Sequence, residues 1–198
     1  MEVERRDMHR QIRTRATQFR AEQTDGVRRI SGYFAVFDDV YEMYPGVTES
    51  IAPHAFDNAL SSGEDVRALI DHLTHLVLGR TIPDTLRLRV DGKGLWGDID
   101  VNEKDTDATN LYARVERGDV NQCSFGFDIL DEERSVNEVT GDVHYTIKAV
   151  KLYEVSVCTF PAYKGTGVEA RAEREKEIKR REFNEWREKQ RRRLKHGT

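Results

Sequence analysis

Between Val27 and Val157 the chain alternates short strand-like stretches with turn signals, and that rhythm restricts it to a fold made mainly of sheet. Val27–Phe37 is rich in β-branched and aromatic residues, and Tyr33, Ala35 and Phe37 oppose Phe34 and Val36. Apolar on both faces, it reads as a buried strand. Val66–Ile70 and Leu76–Ile82 follow, then Leu86–Val90, whose strict apolar/basic alternation is that of a half-buried strand. Asp91–Gly94 turns the chain into Leu95–Val101, making a hairpin. Cys123–Leu130 and His144–Val157 are again strand-like, separated by a polar loop containing Asp131-Glu132-Glu133-Arg134 and Thr140-Gly141-Asp142. Two helices interrupt the series. Pro53 opens a short one through Leu60, at a position where its missing N–H costs least. In the other, Ala108, Leu111, Tyr112 and Val115 recur at helical spacing after the acidic Asp105-Thr106-Asp107, and Gly118 ends it. Six or seven strands with helices between them predict a mainly β fold with helices (α+β), in the form of a closed or nearly closed β-barrel.

After Tyr163 the strand signal stops. Residues 168–195 are mostly Glu, Lys and Arg, with Ile178, Phe183, Trp186 and Leu194 as the large apolar side chains, which predicts a charged C-terminal helix too polar to fold alone. Charge follows the same division. Residues 1–29 carry 8 basic and 5 acidic side chains, residues 30–170 carry 12 and 25, and residues 171–198 carry 12 and 6, so an acidic body lies between two basic arms. The expected organisation is a basic N-terminal arm (1–26), a barrel domain (27–165) and a basic helical tail (166–198). Acidity of the body argues against a nucleic-acid-binding protein working through its arms. No apolar run nears the roughly 18 residues of a membrane span, and residues 1–20 lack the apolar core of a secretory signal, so a soluble protein that stays where it is made is expected. Cys123 and Cys158 stand far apart in strand-like stretches, against a disulfide framework or a zinc site and in keeping with a reducing cytoplasm.

Phosphate-binding glycine loops and zinc-peptidase spacings are absent, so chemistry must be sought in scattered polar residues. His72 follows an apolar strand and falls at a sheet edge, where an imidazole can be part buried and still reach a partner. His75, three residues on outside a helix and with no third ligand nearby, does not make a metal pair with it. Alternation puts Ser124 and Gly126 on one face and Cys123, Phe125 and Phe127 on the other, so the hydroxyl faces a space kept open by a neighbour without a side chain, while the Cys123 thiol points into the core, where thiols are inert. On the last strand Tyr153, Val155 and Val157 form an apolar face, leaving Glu154 and Ser156 on the other. Each residue alone is as readily structural: a core histidine, a strand serine beside a bulge glycine, a glutamate meeting water. Together they supply a hydroxyl, a base and an acid to orient the base, the minimum set for an activated serine.

In order, Gly32–Phe37, Glu49–Phe56, Asp71-His72 followed by Leu78-Gly79-Arg80, Cys123–Phe127, Leu152–Val157 and Phe160–Tyr163 resemble the prohead (capsid maturation) serine proteases of tailed bacteriophages, over about 70% of the chain. That resemblance implies His72 as general base, Ser124 as nucleophile and Glu154 as third member. It also implies a distant likeness to herpesvirus assembly proteases, whose β-barrel is ringed by helices and whose third member is a second histidine. Arg80 is a candidate for supporting the oxyanion, against its reading as an ordinary surface arginine. The implied activity is an endopeptidase that needs no metal or organic cofactor, acts inside the assembling prohead in the host bacterial cytoplasm, and cuts the major capsid protein, scaffold segments and itself, with homo-oligomerisation among its expected associations. The alternative is a catalytically silent assembly or scaffold protein that works through its charged tail.

Overall fold

The computed structural model describes residues 11–16, 19–24, 26–160 and 165–196. The chain divides into two units, residues 1–163 and 164–198. In the first, eleven strands and two helices are described, so the protein is mixed α+β and mostly sheet. Two of the strands, β1 (Gln11–Ala16) and β2 (Arg20–Thr24), lie in the stretch expected as a basic arm. They are followed by β3 (Val27–Val36), β4 (Tyr41–Tyr44), β5 (Val47–Ile51) and helix α1 (Asp57–Ser61). Next come β6 (Arg67–Ile70), β7 (Leu73–Arg80), β8 (Leu86–Val90) and β9 (Gly94–Asp100). Helix α2 (Thr106–Arg117), β10 (Gln122–Val136) and β11 (Val143–Cys158) complete it.

No closed barrel is found among the described residues. The strands pair as a sheet of seven, in which β1, β10, β11, β5 and β4 run side by side and β6 and β7 extend from β11, and a sheet of four in the order β2-β3-β9-β8. One apolar core joins them: Ile30, Phe34, Leu95 and Ile99 of the smaller sheet pack with Phe125, Phe127, Leu152, Val155 and Val157 of the larger. Six or seven strands are too few because β1, β2, β4 and β5 add four to those expected, and much of the segment expected as a polar loop is strand as well. Asp131–Arg134 sit in β10, whose 15 residues pair with the 16 of β11 in a long ribbon. Charged side chains on exposed strand ends mimic a loop in sequence, since they face water there too.

Length lets β11 serve two partners on one edge. Its first half pairs in parallel with β5 and its second half with β6, while β10 holds the other edge. Between them the chain at Ala52–Phe56 docks, with the Val150 amide donating to the Ala55 carbonyl at 3.1 Å. The helix expected from Pro53 therefore starts only at Asp57, because residues 53–56 form turns tied to β11 instead. Helix α2 matches its pattern: the Asp105 carboxylate accepts from the Asp107 and Ala108 amides, Ala108, Leu111, Tyr112 and Val115 are buried, and Gly118 closes the helix at φ 87°.

The second unit is one helix, α3 (Gly165–His196). Ion pairs such as Glu173–Lys176 and Glu177–Arg181 run along it, and Phe183 stacks on Trp186 with ring centres 6.0 Å apart. Pro161, Ala162 and Tyr163, part of the sequence resemblance, lie outside the described residues.

Candidate active site

The site is built where β6 turns into β7 against the end of β11. Ile70 pairs with Leu73, so Asp71 and His72 alone make the connection, both with positive φ (47° and 62°). Two left-handed residues in a two-residue hairpin are the pattern of a type I′ turn, whose twist matches that of the flanking strands. Non-glycine residues occupy that region at a cost of roughly 1–2 kcal/mol each, so the contacts around the turn must offset it. They do so through Asp71. Its amide donates to the Val157 carbonyl at 3.1 Å, and its carboxylate accepts from the Thr159 amide at 2.8 Å. The turn is thus pinned to the end of β11, with the imidazole laid over that strand.

From below, β11 presents Glu154, Ser156 and Cys158, alternate residues on one face. Glu154 Oε1 lies 2.7 Å from His72 Nδ1. A carboxylate has only acceptor oxygens, so Nδ1 carries the hydrogen and Nε2 is left with its lone pair. Ser156 Oγ donates to Glu154 Oε2 at 2.5 Å and is 3.4 Å from Nδ1. Cys158 Sγ is 3.8 Å from Nε2. Burial, then the nearby Asp71 carboxylate, push the Cys158 thiol up to about 12, so it is a neutral S–H at physiological pH. A neutral thiol cannot form a thiolate–imidazolium pair with His72 and meets Nε2 as a weak hydrogen-bond donor.

Ser124 reaches the same neighbourhood through strand register. In the antiparallel β10–β11 pair it stands directly across from Ser156, and Gly126 stands across from Glu154. Residues opposite one another share a face and have Cβ atoms about 4.5–5.5 Å apart, which puts Ser124 one cross-strand step from the His72–Glu154–Ser156 cluster. The expected open space above the hydroxyl is not there: Ser124, Glu154 and Ser156 are all buried, and of the group only His72, with 18% of its side chain exposed, meets solvent. The face reads as solvent-directed in sequence because its residues are polar, whereas the β6–β7 turn folds back over it.

Register also corrects the expected apolar face of β11. Gly126 pairs with Glu154 and Phe127 with Leu152, leaving Tyr153 as the extra residue of a bulge. Leu152, Val155 and Val157 consequently enter the core, while the Tyr153 hydroxyl donates to Asp128 at 2.6 Å. The bulge changes the parity of the strand immediately before Glu154. Cys123 does lie in the core as the alternation indicates, its thiol donating to the Phe34 carbonyl at 3.5 Å.

Arg80 is not brought to this cluster. It stands across from Arg67 at the far end of the β6–β7 hairpin, about 10 Å of strand rise from Ile70. There its Nε donates to Asp65 at 2.9 Å. Neighbouring Gly79 has a packing reason of its own, since a Cβ there would meet the Thr85 carbonyl oxygen at 2.7 Å. His75 is exposed on β7. Asp71, Ser156 and Cys158 are site residues that the sequence reading leaves without a role. The signal for the last two is the continuation of alternation past Glu154 to a second and third polarisable side chain.

Residues 14–181 match the caudovirus prohead serine protease family. The chain is 28% identical over 139 residues to the prohead protease of Enterobacteria phage HK97, an alignment covering 70% of this chain and 60% of that protein, so the chain spans less than two thirds of this relative's length. In three dimensions it is similar to the capsid assembly protease of bacteriophage T4, with a TM-score of 0.50 and 13% identity, over 77% of this chain and 98% of that one. At that identity the likeness speaks for the fold.

Proposed function

The chain belongs to the caudovirus prohead serine protease family, and on that premise we propose that it is a serine endopeptidase of capsid maturation working through Ser124, His72 and Glu154. The observation that carries the reading is the 2.7 Å bond between His72 Nδ1 and the buried Glu154 carboxylate, which leaves Nε2 as a proton acceptor beside the strand that holds Ser124. Ser124 Oγ attacks a peptide carbonyl as its proton passes to Nε2, and Glu154 stabilises the imidazolium so formed. Collapse of the tetrahedral adduct delivers that proton to the leaving amine. Water then attacks the acyl-enzyme by the same route and regenerates the serine. The side chains named complete this cycle without a metal or organic cofactor.

Its substrates are segments of the major capsid protein and of the scaffold, together with its own chain, cut inside the assembling prohead in the host cytoplasm. Family membership supports this choice, and no described helix is long and apolar enough to cross a membrane. The basic tail, with 12 basic and 6 acidic side chains from residue 171 on, suits recruitment to acidic partners in that shell. Co-expression with the capsid protein, wild type against Ser124→Ala, tests the reading by mass spectrometry of chain termini. Cuts in the capsid protein and in the protease that vanish in the variant are expected. Identical termini in both would instead indicate an assembly protein without turnover.

A further inference from the structure

Ser156 belongs to neither the base nor the nucleophile, yet it is the most enclosed polar group touching both His72 and Glu154. It is fully buried, and its Oγ sits 2.5 Å from Glu154 Oε2 and 3.4 Å from His72 Nδ1. A carboxylate at that depth has two oxygens to satisfy, and His72 reaches only Oε1. Each oxygen of a carboxylate held away from water needs a donor, and Ser156 supplies one to Oε2. It lies two residues beyond Glu154 on the same strand, so its side chain emerges on the same face, and the bulge at Tyr153 falls just before the pair rather than between them. A hydroxyl on an anionic oxygen at this distance is a charge-assisted bond, roughly twice as strong as a neutral one.

From this geometry we infer that Ser156 is a positioning residue for the Ser124–His72–Glu154 reaction: its hydroxyl holds Oε2 so that Oε1 stays aimed at Nδ1 and the imidazole keeps its orientation toward the serine. The inference rests on the reading of Ser124 as nucleophile. Register adds to the argument. Ser124 and Ser156 are cross-strand partners, so the residue that orients the acid sits beside the residue the base activates, and a shift of β10 against β11 would disturb both together. Of the other polar groups nearby, the Cys158 thiol approaches Nε2, and Arg67, which neighbours Glu154 in the β6–β11 register, is exposed.

The test uses the full chain and two readouts. The first is the rate at which a fluorophosphonate probe labels Ser124, followed by intact mass: the serine oxygen bonds to phosphorus, fluoride leaves and the proton passes to His72, so the rate reports activation without a known peptide substrate. The second is the downfield proton resonance of His72 Nδ1–H, which reports the bond to Glu154 whether or not the protein turns over. Ser156→Ala should slow labelling about ten-fold or more, as expected for a lost bond to a charged group, and should broaden or remove the resonance. Ser156→Thr, which keeps the hydroxyl, should restore both. Labelling and resonance unchanged in Ser156→Ala would overturn the inference, and so would losses in Ala and Thr alike. If wild-type protein is labelled no faster than Ser124→Ala, the reading of the nucleophile fails, and the resonance still decides whether Ser156 holds the Glu154–His72 bond.

Discussion

At the scale of single residues the site depends on which protons stay where. Cys158 is the group whose state matters most beside the proposed triad, because it touches His72 Nε2, the proton acceptor of the proposed reaction. Burial and Asp71 raise its folded value to about 12, above the roughly 8.5 of an unfolded thiol. Stability from this group is therefore complete below about pH 8.5 and is lost as pH rises toward 12, since only the unfolded chain can ionise the thiol in that window. Melting temperatures between pH 7 and 10.5 should fall more steeply for wild type than for Cys158→Ala, even though the variant, with a small void, melts lower at pH 7. Parallel curves would mean that the thiol ionises as easily folded as unfolded. Ser124 and Glu154 stand out in sequence through strand alternation, His72 through its place after an apolar strand, and all three through family likeness. Ser156 and Cys158 do not, since a serine and a cysteine in a strand become informative only once an imidazole is known to lie over them. Arg80 is the opposite case: a motif residue that the structure places in an ion pair with Asp65, away from the His72–Glu154 pair.

Elements inherit their precision from local signals or lose it to tertiary partners. Helix α2 is local throughout, with Asp105 at one end and Gly118 at the other. Asp105→Ala should cost about 1 kcal/mol through two unmet amides. Gly118→Ala should cost a similar ~1 kcal/mol from its positive φ, because nothing lies within 4 Å of the added Cβ. Urea titration measures both, and a neutral Gly118→Ala would mean the helix end can unwind without loss. Strands β10 and β11 are different. Their apolar halves are plain in sequence, but their charged halves read as a loop, and only pairing over Gln122–Val136 and Val143–Cys158 reveals the ribbon. The β6–β7 turn is likewise invisible beforehand, because Asp-His is not the Asn-Gly or Asp-Gly that type I′ turns favour. Its anchoring through Asp71 to Thr159 supplies what local preference withholds.

For the whole molecule, the buried core cluster falls in the first unit and the long charged helix in the second. Every residue of the buried core cluster lies between Ile30 and Val157, and α3 is a charged helix with Phe183 and Trp186 more than half exposed. A chain ending at Tyr163 should unfold in one cooperative transition within about 3 °C of the full chain, the shift expected when well under 1 kcal/mol is lost from a domain of this size. A drop of more than 10 °C in a thermal scan would show that the tail contributes to the stability of the body.

Composition and alternation alone determine that this chain is mostly sheet, that its middle is acidic and its tail a polar helix, and which side chains can enter a core, because those properties depend on residue type and on neighbours two to four positions away. Tertiary structure decides that the described strands pair as two sheets. It also decides that a bulge at Tyr153 resets the face on which Glu154 emerges, and that a strained turn lays His72 across β11. These outcomes depend on pairing between segments dozens of residues apart, whose energies no local pattern carries.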